Sequence, residues 1–233
     1  MFLLVFSGVF LHRPVVFAAD MMRTYIPANA PKYIPSLKKE QQKYFSENPW
    51  PAYTAGLIEH ENCVSLTGKM CWNPRSKLKT ARELGIGFPQ LTKAFYADGR
   101  VRFDALTELV HRHRQDLGEL TWNNIESRPD LQLRATAIMV KDNYTAFKGV
   151  KDTTQRLKMT DAAHNSGLGA IEKKRRACGL SKKCNPGIWD GNVSTMCLTG
   201  KKVLYAGKTA CDINRYHVES VFKRINKYEP YFK

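Results

Sequence analysis

Apolar residues recur along most of this chain with the three- to four-residue period of an α-helix. Trp50, Tyr53, Leu57 and Ile58 follow this period and predict a helix that ends at Glu61. Further helices are predicted over residues 36–45, 104–110, 129–147, 160–166 and 212–232. The pattern therefore predicts a mainly α fold in a single helical domain.

The segments between these helices are polar and rich in glycine or proline. Residues 20–35 contain three prolines and read as an extended arm, and residues 63–80 read as a loop. Gly85 and Gly87 flank one residue, which indicates either a plain turn or a close approach by another part of the chain. The expected organisation is a leader (1–19), an arm with a short helix (20–48) and a main domain (49–233), in which residues 178–211 form a small loop or β-hairpin insertion near the C-terminus.

Glu61 places a charge on the apolar face of its predicted helix, whereas Glu59 is expected to turn toward solvent. A carboxyl sheltered by apolar neighbours has its ionised form disfavoured, which raises its pKa and suits it to act as a general acid. The alternative is that the apolar face ends at His60 and that Glu61 caps it at the water line.

The net charge indicates which classes of partner the protein is expected to bind. Lys and Arg number 37 against 21 Asp and Glu, giving a net charge of +16. Such a charge attracts polyanions, so nucleic acid, anionic envelope polymers and membrane surfaces are candidates beside a merely solubilising surface. The basic run at 172–184 lacks interleaved aromatic residues, and no specific nucleic acid is therefore expected.

The leader and the cysteines both indicate the cellular compartment in which the protein is expected. Residues 1–19 have the apolar run and small residues of a secretory signal peptide, although Met21 or Met22 could be the true start. An even number of cysteines in an exported chain favours disulfides, and no CxxC motif indicates a metal site. Short-range pairing, one of fifteen possible connectivities, would join Cys63 to Cys71, Cys178 to Cys184 and Cys197 to Cys211.

Four segments, in the same order, resemble motifs of the soluble-type lytic transglycosylases, the relatives of goose-type lysozyme. GLIEHEN (56–62) is similar to the helix that ends in the catalytic Glu-Ser, and GIGFPQL (85–91) to the Gly-Leu-Met-Gln turn. AAHNSGLGAI (162–171) is similar to the Ala-Tyr-Asn-Ala-Gly-x-Gly motif, and INRYHVESV (213–221) to the motif of the final helix. The resemblance implies a lysozyme-like α+β fold.

Carried over by position, the resemblance implies that Glu61 is the catalytic acid. It also implies a glycan-binding set of Gly87, Gln90, His164, Asn165, Gly167 and His217. The chain departs from the family at Asn62, which stands in place of Ser, at Phe88-Pro89, which replaces Leu-Met, and at His164 and His217, where the family has Tyr. Because histidine titrates near neutral pH, substrate affinity could depend on pH.

The implied reaction cleaves the bond between N-acetylmuramic acid and N-acetylglucosamine in peptidoglycan with one Glu, and it forms a 1,6-anhydro ring without metal or cofactor. A muramidase that uses water is the rival, in which Glu59, Glu83 or Asp98 could assist. A non-catalytic peptidoglycan-binding or virion structural protein is the other alternative. The expected partners are peptidoglycan strands and anionic envelope polymers. The expected location is periplasmic or secreted, or else phage virion-associated, or cytoplasmic if translation starts internally. The sequence does not indicate an oligomeric state.

Overall fold

The computed structural model describes residues 20–198, 202–205 and 207–233, so the predicted leader lies outside the described residues. Most of the described chain is helical, as the apolar pattern predicts. The helices are α1 (Ala30–Tyr44), α2 (Ala52–Asn62), α3 (Ala105–Arg112), α4 (Arg114–Leu117), α5 (Pro129–Ala146), α6 (Thr153–Ser166), α7 (Leu168–Gly179), α8 (Ala210–Phe222) and α9 (Ile225–Tyr228). Short 3₁₀ turns occur at Ile125–Ser127, Val193–Thr195 and Glu229–Tyr231.

A small antiparallel sheet lies between α2 and α3, where the sequence predicted only a loop and a glycine turn. Its strands are β1 (Lys77–Lys79), β2 (Glu83–Ile86), β3 (Leu91–Phe95) and β4 (Val101–Asp104), paired in chain order. Each strand has three to five residues, and β1 is exposed throughout, so no apolar alternation marks it in the sequence. The predicted loop or β-hairpin insertion near the C-terminus contains two antiparallel strands, β5 (Val203–Tyr205) and β6 (Lys208–Thr209).

The largest core surrounds α2. Tyr53, Leu57 and Ile58 are fully buried and belong to one cluster with residues of α1, α5, α8 and α9. Every residue from Ala52 to Glu59 is buried, so α2 is covered on all sides rather than on one face. The expectation that Glu59 turns toward solvent is therefore wrong: the helix has no solvent face at that position, and Glu59 is completely buried.

Helix boundaries follow the local chemistry in most places. Asp104 caps α3 by accepting a hydrogen bond from the Thr107 backbone at 2.9 Å, and α5 begins at Pro129, both as predicted. Helix α6 ends at Ser166 and is followed by Gly167, whose φ of 85° suits glycine.

Other boundaries differ from the prediction, and α6 begins at Thr153 rather than at residue 160. Helix α1 begins at Ala30 and not at Ser36, because Pro31 lies in its first turn, where proline is tolerated. Ala30 and Ile34 are buried in the same core as α2, so the C-terminal part of the predicted arm belongs to the core. The predicted final helix is broken after Phe222 into α8 and α9, which lets both pack against α2.

Candidate functional site

Glu61 lies near the C-terminal end of α2, where α6 and α8 meet. Its Oε1 is 2.6 Å from Nε2 of His217 on α8 and 3.9 Å from Nε2 of His164 on α6. The side chain of Glu61 is 18% exposed, whereas those of His217 and His164 are 4% and 5% exposed. Glu61 is therefore the most accessible of the three side chains.

His217 is held between two carboxylates. Its Nε2 faces Glu61, and its Nδ1 lies 2.9 Å from Oδ2 of Asp161, which is fully buried on α6. The other oxygen of Asp161 accepts a hydrogen bond from the Tyr53 hydroxyl at 2.8 Å. We call Tyr53, Asp161, His217 and Glu61 the proton chain, since each contacts the next through hydrogen-bonding atoms.

The contacts within the proton chain shift the pKa values of Glu61 and His217. Burial disfavours the charged forms of both Glu61 and His217, but their mutual hydrogen bond and charges oppose it. The hydrogen bond and positive charge of His217 lower the pKa of Glu61 to about 2, which is opposite to the raised pKa that the sequence predicted. The charges of Asp161 and Glu61 outweigh burial and raise the pKa of His217 to about 10.

Two further histidines border this pair. The ring of His60 packs edge-on against that of His217 with centroids 4.4 Å apart, and burial together with the charge of His217 lowers the His60 pKa to about 4. Burial likewise lowers the pKa of His164, whose buried Nδ1 has no hydrogen-bond partner among the described residues. His164 and His217 are therefore displaced from neutral titration in opposite directions, against the expectation that both would titrate near pH 7.

The glycine turn is joined to the end of α2 by Asn62. The Asn62 amide donates to the carbonyl of Gly87 at 2.9 Å, and Gln90 donates to the same carbonyl at 2.9 Å. Gly87 has φ of 84°, and a Cβ added there would lie 2.3 Å from Oε1 of Gln132. This confirms the close approach that the paired glycines indicated. The structure thus places Gly87 and Gln90 beside the α2 terminus, with Gln90 hydrogen-bonded to its own turn.

The C-terminal end of α6 and the residue that follows it lie at the surface. Asn165 and Gly167 are exposed, and Asn165 accepts a hydrogen bond from the Asn214 amide at 3.1 Å. Asn214 also donates to the carbonyl of Ala162 at 2.9 Å, which fastens α8 to α6. In the described chain no hydrogen bond joins Asn165 or Gly167 to Glu61, whereas His164 of the same motif lies 3.9 Å from it.

Sequence reasoning missed Asp161 and Tyr53 as site residues. Asp161 lies beside Ala162 and Ala163 and three residues before His164, on the same side of the helix, and this spacing is a signal that could have been followed. Tyr53 gave no signal of its own, because an aromatic residue on an apolar helix face reads as core.

The three predicted disulfides are confirmed: Cys63–Cys71, Cys178–Cys184 and Cys197–Cys211. The first follows Glu61 by two residues and closes the loop that Asn62 anchors. Three disulfides are typical of a non-reducing environment, such as the periplasm or the extracellular space. Within the described ranges, no helix is long and apolar enough to cross a membrane.

A cavity of about 670 Å³ is lined in part by residues of α8. Its lining includes Trp189, Arg215, Val218 and Phe222 but not Glu61. The chemistry of the proton chain is therefore at a different position from this cavity. Among the residues that the structure describes, no group of three or more His, Cys, Asp or Glu side chains is arranged to hold a metal ion.

The fold and site define a mainly helical, disulfide-bonded protein with an imidazole held between two carboxylates. Comparisons with protein-family models, curated proteins and solved structures found no match to this chain.

Proposed function

We propose that this protein is a peptidoglycan lytic transglycosylase in which the Glu61 carboxyl group contacts and protonates the glycosidic oxygen. One observation carries the proposal: the segments that resemble the family motifs, though far apart in sequence, come together around Glu61. His217 of the fourth segment and His164 of the third lie 2.6 and 3.9 Å from its carboxylate. The turn of the second segment is joined to the neighbouring Asn62 at 2.9 Å.

In the proposed reaction, Glu61 protonates the oxygen between N-acetylmuramic acid and N-acetylglucosamine, and the bond to C1 of the muramic acid breaks. The 6-hydroxyl of that sugar then closes on C1 while its proton passes to the Glu61 carboxylate. The products are a free 4-hydroxyl and a 1,6-anhydro end. A single accessible carboxylate performs both steps, and no metal or cofactor takes part.

The surroundings of the other acids favour this reaction over hydrolysis. Most glycoside hydrolases place two carboxylates on either side of the scissile bond. Glu59 is buried and held by Lys227 and Arg224, so it cannot reach a sugar. Glu83 begins β2 and Asp98 lies in the turn between β3 and β4, and each is paired with an arginine. These placements support a one-carboxylate mechanism and weigh against the muramidase alternative.

The compartment and charge agree with a cell-wall substrate. The disulfides suit the periplasm or the outside of the cell, where peptidoglycan lies, and the net charge of +16 would hold the protein near anionic envelope polymers. Neither the disulfides nor the net charge distinguishes a bacterial envelope enzyme from a phage lysis or entry protein, so the proposal includes both kinds of protein.

Zymography on purified cell walls tests the proposal. Glu61→Gln keeps the shape of the side chain and removes its acid, so we expect no clearing, whereas Glu83→Gln should clear like the wild type. Mass spectrometry of the released muropeptides should find 1,6-anhydro ends. Equal clearing by Glu61→Gln and wild type would refute Glu61 as the acid, and reducing ends in place of anhydro ends would show a muramidase.

A non-catalytic, peptidoglycan-binding protein is the second candidate. The observation that favours it is the lowered pKa of Glu61, since an ionised carboxylate is not itself a proton donor. This candidate predicts that the wild type sediments with purified cell walls but releases no soluble muropeptides at any pH between 4 and 9.

A further inference from the structure

We infer that His217 stores the proton that Glu61 delivers to the glycan, and that Asp161 keeps this proton on the imidazole ring. His217 is then a positioning residue that acts through Glu61. The inference rests on the proposed function, because it names the proton source for the same carboxylate.

The first argument is the hydrogen-bond inventory of the ring. Each nitrogen of His217 faces a carboxylate oxygen, at 2.6 Å for Glu61 and 2.9 Å for Asp161. A neutral imidazole has one N–H and one lone pair, so it cannot donate to both oxygens. Two ionised carboxylates therefore require a doubly protonated ring. The alternative arrangement moves one proton from Nε2 to Oε1 of Glu61, and the number of protons is the same in both.

The second argument is the sequestration of that proton. Asp161 is fully buried, and its remaining oxygen is occupied by the Tyr53 hydroxyl, so it is held in place beside Nδ1. His217 itself is almost fully buried, and Glu61 is the exposed end of the proton chain. A proton on His217 therefore has a direct route to substrate through Oε1 of Glu61.

The other groups around the ring do not compete for the proton. His60 on α2 and His164 on α6 lie with ring centroids 4.4 and 6.3 Å from that of His217, and burial lowers the pKa of both. Arg224, which follows α8, is occupied by Glu59 on α2. The two carboxylates that contact His217 are therefore the groups that decide its protonation, in agreement with its raised pKa.

The protons balance over one cycle. The proton moves from Nε2 of His217 to Oε1 of Glu61 and then to the leaving oxygen, whose bond to C1 breaks with the electron pair staying on oxygen. This leaves a neutral imidazole and an ionised Glu61. When the 6-hydroxyl forms its bond to C1, its proton passes to Glu61 and returns to Nε2. The ring and both carboxylates are thus restored without any added base.

The central test is Asp161→Asn, which keeps an amide oxygen for Nδ1 but removes the charge that holds the second proton. Wild-type cleavage of cell walls should persist to alkaline pH, because the stored proton is retained there. The alkaline limb of the pH–rate profile should move down by about one pH unit or more in the variant. Asp142→Asn is the matched control, since it alters a partly exposed Asp–His pair at 2.7 Å with His113, and it should leave the profile unchanged.

Nitrogen NMR of the histidine rings supplies a readout that needs no substrate and no variant. At pH 8 both ring nitrogens of wild-type His217 should be protonated, and a singly protonated ring would overturn the inference even if Asp161→Asn fails to fold. An unchanged alkaline limb in a folded Asp161→Asn would overturn it as well. If the wild type cleaves no cell wall, the proposed function fails, whereas the NMR result still decides where the proton resides.

Discussion

Removal of the buried charge of Glu59 should destabilise the protein strongly. Glu59 is completely buried and lies 2.9 Å from Arg224 Nε and 2.8 Å from Lys227 Nζ, and it accepts a hydrogen bond from the Tyr228 hydroxyl. In Glu59→Gln the two cations remain buried without their counterion. Breaking one side of a buried ion pair in this way costs about 3–5 kcal/mol.

Thermal unfolding followed by circular dichroism measures this effect. A loss of that size lowers the Tm of a domain of 150–250 residues by roughly 6–20 °C. The matched control is Glu83→Gln, which removes an exposed carboxylate 3.5 Å from Arg102 and should cost less than about 1 kcal/mol. The double variant Glu59→Gln/Lys227→Met should lose less stability than Glu59→Gln alone, because one unpaired cation is removed with the anion.

The reasoning is refuted if Glu59→Gln and Glu83→Gln unfold at the same temperature. Such a result would mean that Arg224 and Lys227 find water or other partners once Glu59 is neutral. The network would then be a consequence of the packing of α8 and α9 on α2 and would not hold them there.

Two more measurements follow from described contacts. Against the effect of burial, Asp161 and Glu61 raise the pKa of His217 from its ordinary value of 6.5 to about 10, and His217 lowers the pKa of Glu61 from 4.5 to about 2. The contribution of this pair to stability should therefore be full between pH 4.5 and 6.5, decline as pH rises through 10 and decline as pH falls through 2. Urea unfolding of wild type and His217→Gln should show the largest difference near pH 5.5, and a constant difference across pH contradicts the assignment. Gly87→Ala should destabilise more than Gly99→Ala, as measured by urea unfolding, because both have φ of 84° but only the Cβ at Gly87 meets Gln132; equal losses would mean that the Gln132 side chain moves aside.

Much of the helical architecture was predictable, because it depends on local rules. The start of α5 at Pro129, the cap of α3 by Asp104 and the end of α6 before Gly167 each need only a few neighbouring residues. The disulfide pairs are also short-range. The sheet between α2 and α3 was not predictable from periodicity, since its strands are short and its two outer strands, β1 and β4, are largely exposed.

The site was predictable in part, and the errors share one physical cause. Periodicity assigns a buried and an exposed side to a helix, but α2 is surrounded, so the rule misplaced Glu59. The pKa of Glu61 was predicted from apolar shelter alone, and the outcome was decided by His217, which is 156 residues away in sequence. Asp161 was missed for the same reason: its partners Tyr53 and His217 lie on other helices.

The attachment of α8 and α9 to α2 has a consequence for biosynthesis. Glu59 and Tyr228, which share a hydrogen bond, are separated by 169 positions, and closing so long a loop is slow and entropically costly. Because a chain emerges from the ribosome in order, α2 is exposed long before α8 and α9 are made. During that interval Glu61 lacks His217, and Glu59 lacks Arg224 and Lys227. The Glu61–His217 and Glu59–Tyr228 contacts can therefore form only after residues 210–228 have been synthesised, however early the Cys63–Cys71 disulfide forms.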